Sequence, residues 1–87
     1  MYKVYVLESQ KNGRYYIGYT GDMEARLAEH NRGKVKSTRY LRPLKVVYTE
    51  CFQTGLEALH RERYLKSLKS RIPIQQLIST GAISSAG

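Results

Sequence analysis

The sequence predicts a small α/β (α+β) sandwich: a three-stranded, mainly antiparallel sheet flanked by helices, in the order β-β-α-β-α-α. Three observations predict it. Two short alternating segments, Tyr2 to Glu8 and Arg14 to Thr20, bracket the turn-like stretch Gln10-Lys11-Asn12-Gly13, which is the pattern of a hairpin. Segments of helical spacing follow Asp22 and Thr54-Gly55. Between them, Leu44 to Glu50 reads as a third strand introduced by Pro43.

Each element has a local reason. In the first strand Tyr2, Val4 and Val6 share one face, and Lys3, Tyr5 and Leu7 the other. In the second, Tyr15, Ile17 and Tyr19 oppose Tyr16 and Gly18. Gly18 leaves a spot with no side chain, where another backbone can come close. Asp22 caps a helix over Met23 to Asn31, and Gly33 is placed to stop it. Lys34 to Thr38 is a polar, basic connection. The second helix spans Leu56 to about Leu68. The third spans Ile72 to Ser79, with Pro73 in its first turn. A single domain is expected over residues 1–80, with 81–87 as a flexible tail.

The chain has 87 residues, enough for one small domain and a modest core. Fifteen Lys and Arg against seven Asp and Glu give a net charge of +8, which points to a polyanionic partner such as nucleic acid. The cations are spread over loops and helices, so a charged face is expected rather than a basic arm. The single cysteine, Cys51, excludes an intramolecular disulfide and a cysteine-rich zinc site; it reads as a small buried hydrophobe. No signal peptide or membrane span is visible, so no membrane partner is expected and the cytoplasm is the default location.

A few residues resist a purely structural account. Tyr5 and Tyr16 lie on strands that a hairpin brings together. Arg26 and His30, four apart, share a helix face, as they would on an ordinary solvated surface. Glu62 interrupts an apolar stripe made by Ala58, Leu59 and Leu65, where a carboxylate is costly unless paired or metal-bound. It is either a partner for Lys66 or a ligand for a divalent cation. Glu57 pairs readily with Arg61. Lys34, Lys36, Arg39 and Arg42 form a basic connection suited to phosphate contacts.

Together these residues resemble the GIY-YIG nuclease superfamily, most closely its small single-domain bacterial members. These are similar to the amino-terminal nuclease domain of the bacterial excinuclease, a DNA-repair enzyme. Lys3-Val4-Tyr5 stands at the first motif, with Lys and Val for the eponymous Gly and Ile. Tyr16-Ile17-Gly18 is the second motif intact. Arg26-Leu27-Ala28-Glu29-His30-Asn31 is similar to the arginine helix, and Glu57 to Glu62 to the helix of the metal-binding glutamate. Leu41 to Tyr48 is similar to the strand approach of the small members. The resemblance covers Tyr2 to about Leu68. Some members carry a lysine straight after the second motif, where this chain has Tyr19.

The resemblance implies phosphodiester hydrolysis in DNA, with selectivity for structure or strand state. Tyr5 would be the general base, its pKa lowered by nearby cations, with Tyr16 as its support. Arg26 would hold the scissile phosphate, and His30 would orient water or relay a proton. Glu62 would hold one Mg²⁺ or Mn²⁺. Gly18, Asn31, Lys34, Lys36, Arg39 and Arg42 would lie along the nucleic acid. The DNA could be single-stranded, branched or duplex, with RNA left open, and the protein a monomer or weak dimer. The alternative is a non-catalytic nucleic-acid-binding module on the same scaffold.

Overall fold

The computed structural model describes residues 1–80; the tail expected over 81–87 lies outside the described residues. Strands β1 (Tyr2–Ser9), β2 (Tyr15–Thr20) and β3 (Leu44–Phe52) alternate with helices α1 (Met23–Asn31), α2 (Gly55–Ser67) and α3 (Arg71–Thr80) in the expected β-β-α-β-α-α order. The sheet runs β2-β1-β3, antiparallel at both pairings. β1 is therefore central, and its residues Val4 to Leu7 are at most 1% exposed.

The two faces of β1 build two cores. Val4 and Val6 pack with Tyr48, Ala58, Leu65 and Ile74 beneath α2 and α3. Tyr5 and Leu7 pack with Leu44 on the other face, joined by Tyr16 and by Met23 and Leu27 of α1. Burying a Val or Leu contributes roughly 1.5–3 kcal/mol, so a small chain gains most from a strand buried on both sides. A register shift between Val6 and Leu7 leaves Val47 as an extra residue on β3.

Helix ends follow their sequence signals. The Asp22 carboxylate accepts from the Ala25 N–H at 3.1 Å. Gly33, at φ +79°, follows the end of α1 in the left-handed region that favours glycine. Thr54 and Glu57 close a reciprocal capping box at the start of α2.

Several expectations are corrected here. Glu57 is committed to that cap, and Arg61 pairs with Glu50 of β3 at 2.9 Å instead. Cys51 lies within β3 and is exposed, because its register places it outside both cores. The connection after α1 is not uniformly a solvated basic stretch: it carries a 3₁₀ turn at Arg39–Leu41, and Thr38 within it is fully buried.

Candidate active site

The hairpin register places Tyr5 opposite Gly18 and Leu7 opposite Tyr16. Tyr5 and Tyr16 are therefore diagonal neighbours on one face of the sheet. The gap at Gly18 has an occupant. A Cβ added there would lie 2.6 Å from Cζ of Tyr5 and would collide with its hydroxyl. Gly18 is buried and makes room for the phenol.

His30 sits on the buried side of α1, fully enclosed, rather than on a solvated helix surface. Its Nε2 lies 3.0 Å from the Tyr5 hydroxyl and its Nδ1 2.8 Å from Thr38 Oγ1. Thr38 donates its own proton to the Val35 carbonyl at 3.4 Å, so its oxygen accepts from Nδ1–H. Nε2 then carries the lone pair, and Tyr5 O–H donates to it. Burial first, and the charge of Arg26 second, lower the His30 pKa from 6.5 to about 4, against a smaller upward pull from Glu29. The imidazole is neutral at pH 7. The Tyr16 ring meets it edge-on, 5.1 Å between centroids.

The Tyr5 phenol is also displaced, and not in the expected direction. Burial pushes its pKa above the ordinary 10.0, outweighing the Arg26 guanidinium, whose charge and hydrogen-bonding reach act downward; Tyr16 and Glu62 add to the rise. In the resting protein this is a protonated phenol facing a neutral acceptor. With the phenol pKa raised and the imidazole pKa lowered, full transfer of the proton onto His30 is unfavourable in the resting protein. Proton movement here must therefore accompany chemistry.

Arg26 and Glu62 flank this centre. Arg26 pairs with Glu29 at 3.0 Å and keeps a side chain 35% exposed, free to take an anion from solution. Its own pKa is raised, first by the Tyr5 phenol and then by Glu29. Glu62 is only 13% exposed in its side chain and forms an ion pair with the Lys66 ammonium at 3.3 Å. The apolar stripe thus holds a paired carboxylate, as one of its two readings expects. No group of three or more His, Cys, Asp or Glu that could hold a metal occurs among the described residues. Mg²⁺ commonly uses one or two carboxylates and fills its remaining positions with water and phosphate oxygens, so Glu62 fits such an ion as a single protein ligand.

The proposed nucleic-acid residues divide. Both ends of the Asn31 amide bind Leu44, accepting from its N–H at 2.8 Å and donating to its carbonyl at 3.2 Å. Asn31 is a clamp between α1 and β3. Arg39 and Arg42 each commit Nε to a backbone carbonyl, of Gly33 at 3.2 Å and Arg39 at 2.8 Å respectively, and remain exposed. Lys34 and Lys36 are exposed beside them. Tyr40, 76% exposed, stands among these cations at a shallow depression that Lys11 also lines. Tyr19 packs toward the α2–α3 core, on the face away from His30. Thr38 is the site residue that sequence reasoning misses. Nothing in a basic connection marks one threonine as buried.

A family model described as the GIY-YIG catalytic domain matches residues 1–75. The chain is 49% identical over 67 residues to a UPF0213 protein of Streptococcus pneumoniae, covering 76% of this chain and 67% of that one. It is 42% identical over 79 residues to a UPF0213 protein of Staphylococcus saprophyticus, covering 90% and 94%. The solution NMR structure of a UPF0213 protein from Bacillus halodurans is similar, with a TM-score of 0.57 and 40% identity over 91% of this chain and 84% of that chain. No helix among the described residues is long and apolar enough to cross a membrane.

Proposed function

This chain belongs to the GIY-YIG catalytic domain family, and from that premise we propose that it is an endonuclease hydrolysing phosphodiester bonds in DNA with one Mg²⁺ or Mn²⁺. The observation that carries this reading is the buried chain Tyr5–His30–Thr38, with Arg26 and Glu62 both acting on the same phenol. A purely structural tyrosine needs an acceptor, but it does not account for Arg26, which acts on the phenol while its carboxylate partner is Glu29 and not the phenol's own acceptor.

In the proposed reaction Arg26 holds the scissile phosphate by charge-assisted hydrogen bonds. The Tyr5 oxygen takes a proton from the attacking water while its own proton passes to His30 Nε2, so no free phenolate is needed. The water oxygen forms the new P–O bond, and the bond to the leaving sugar oxygen breaks. Tyr16 holds the imidazole from its edge, and Thr38 fixes which nitrogen is free. Glu62 is the residue to hold the divalent cation, which when bound neutralises charge developing on the phosphate. Lys34, Lys36, Arg39 and Arg42 supply sequence-independent phosphate contacts. With so little surface for reading bases, the enzyme would select DNA by structure or strand state, as repair nucleases do.

The test is a cleavage panel of single-stranded, duplex, flap and branched DNA with and without Mn²⁺, wild type beside Glu62→Gln and Arg26→Ala. Metal-dependent cleavage lost in both variants is expected. Binding without any cleavage by the wild type would sink the proposal. It would leave the alternative, a non-catalytic binding module, which the Glu62–Lys66 pair favours because a carboxylate already neutralised needs no cation.

A further inference from the structure

β2 is an edge strand, since the sheet order is β2-β1-β3. Along it, against the end of α2 and the start of α3, runs a groove of about 610 Å³. Arg14, Tyr15, Tyr16, Lys66, Lys69 and Arg71 line it, and no acidic residue does. Two of the four cations lie over the phenols. The Arg71 guanidinium lies 4.8 Å from the Tyr15 ring centroid, and the Lys66 ammonium 5.7 Å from that of Tyr16. This alternation of aromatic faces and positive charge matches what a single strand offers, bases to stack on and phosphates to neutralise. A duplex hides its base faces and has no use for such a groove.

Two further observations point the same way. Lys69, in the link between α2 and α3, has φ +50°, a left-handed conformation in which glycine is at ease and a lysine is not. From that position Lys69 lines the groove. Tyr16, meanwhile, belongs to both places: it lines the groove and packs on the His30 ring at 5.1 Å. A strand in the groove would lie against Tyr16, whose ring packs on the enclosed His30.

We propose that the groove between the β2 edge and the α2–α3 junction is the binding track for an unpaired nucleic-acid strand, leading its phosphates past Tyr16 to Tyr5. It deepens the hydrolytic reading by naming the substrate's strand state, and rests on that reading for its destination but not for its binding. It is separate from the depression lined by Arg39, Tyr40 and Arg42 of the basic connection.

The test measures binding apart from cleavage. Fluorescence anisotropy with a short oligothymidylate, an oligouridylate and a duplex is run in EDTA across a salt series. Lys69→Gln/Arg71→Gln is compared with wild type and with Lys34→Gln/Lys36→Gln. The groove variant is expected to bind the single strands about tenfold more weakly and to lower the salt slope by about 1.4, the share of two phosphate contacts on a single strand. Its duplex affinity should stay within about twofold of wild type. Preference between the two oligonucleotides says which of the two strands the groove favours, and binding of either supports the track. Lys69→Gly guards against a folding artefact: relieved of strain, it should melt no lower than wild type and still bind the single strand more weakly. Unchanged single-strand affinity in both groove variants, or equal losses for single strand and duplex, overturns the proposal. Groove-dependent binding by a protein that never cleaves would overturn the hydrolytic reading and leave the track standing.

Discussion

Two buried tyrosines stand on opposite faces of the sheet, and they have been given opposite partners. Tyr48, 6% exposed, donates its hydroxyl to the Glu50 carboxylate. Arg61 grips the same carboxylate with a two-pronged contact at 2.9 and 3.0 Å. Burial and then the neighbouring Glu50 push the Tyr48 pKa up to about 12. Burial also acts upward on Glu50, but Arg61 and the Tyr48 hydroxyl outweigh it and hold the carboxyl below its ordinary range. Every donor and charge in that cluster is matched. Tyr5, 1% exposed, instead faces a neutral imidazole, and the arginine acting on it is tied only to a surface glutamate. A matched cluster holds strands and helices together. A phenol with a basic nitrogen on one side and a loosely held cation on the other can give up and take back a proton.

The largest test of that contrast exchanges each phenol for phenylalanine. Tyr5→Phe removes the hydroxyl of the proton chain and should lower single-turnover cleavage by about 10²–10⁴-fold, the usual contribution of a general base. Tyr48→Phe should leave cleavage within about threefold while costing roughly 1.5–3 kcal/mol in urea unfolding, as loss of a hydrogen bond to a charged group does. Equal losses of cleavage in the two variants would erase the distinction between a poised tyrosine and a locked one.

pH sharpens the same comparison through stability. His30 titrates at about 4 in the folded chain and near 6.5 when unfolded, so between those values the unfolded state binds more protons. Stability should therefore fall as pH drops from about 6.5 to about 4, by roughly 3 kcal/mol in all. The Glu50 cluster behaves differently. Its depressed carboxyl contributes stability above the ordinary carboxylate pKa, and that stability is lost only as pH falls below it. Urea unfolding between pH 7 and 4 checks the upper limb. His30→Gln, which can still bond Tyr5 and Thr38, should flatten it. An unchanged slope in that variant would mean that another group carries the dependence.

What the sequence discloses about these two clusters follows from how local each signal is. Alternation along β1 and β2, the cap at Asp22, and the four-residue step from Arg26 to His30 are read within one element, and all stand in the fold. The odd carboxylate Glu62 is also visible, because its apolar neighbours lie on its own helix. Tyr48–Glu50–Arg61 is not: Arg61 has an adequate partner one turn back in Glu57, and only the packing of α2 on β3 and the capping box decide between them. Thr38 and Asn31 are hidden for the same reason. One reaches back to His30 from a connection with no periodicity, and the other forward to the Leu44 backbone, so their partners exist only once the chain has folded. Gly18 reads as an opening because sequence shows the missing side chain but not the phenol across the strand that fills it.

The smallest effect tests where the two designs meet, at Glu62. Like Glu50 it is mostly shielded and paired with a cation, but its partner is a lysine 49% exposed at 3.3 Å, a point charge on a flexible stem rather than a fork of two hydrogen bonds. Such a pair contributes only a few tenths of a kcal/mol, so Lys66→Gln should barely move the unfolding midpoint. If Glu62 receives the divalent cation, the Lys66 ammonium competes with it for the same carboxylate. Removing that competitor should then lower the Mn²⁺ concentration for half-maximal cleavage about twofold, in keeping with a few tenths of a kcal/mol. A metal titration of cleavage by Lys66→Gln beside wild type reads this directly. A midpoint that stays put or rises would separate Lys66 from metal binding and make the Glu62 pair as structural as the one on Glu50.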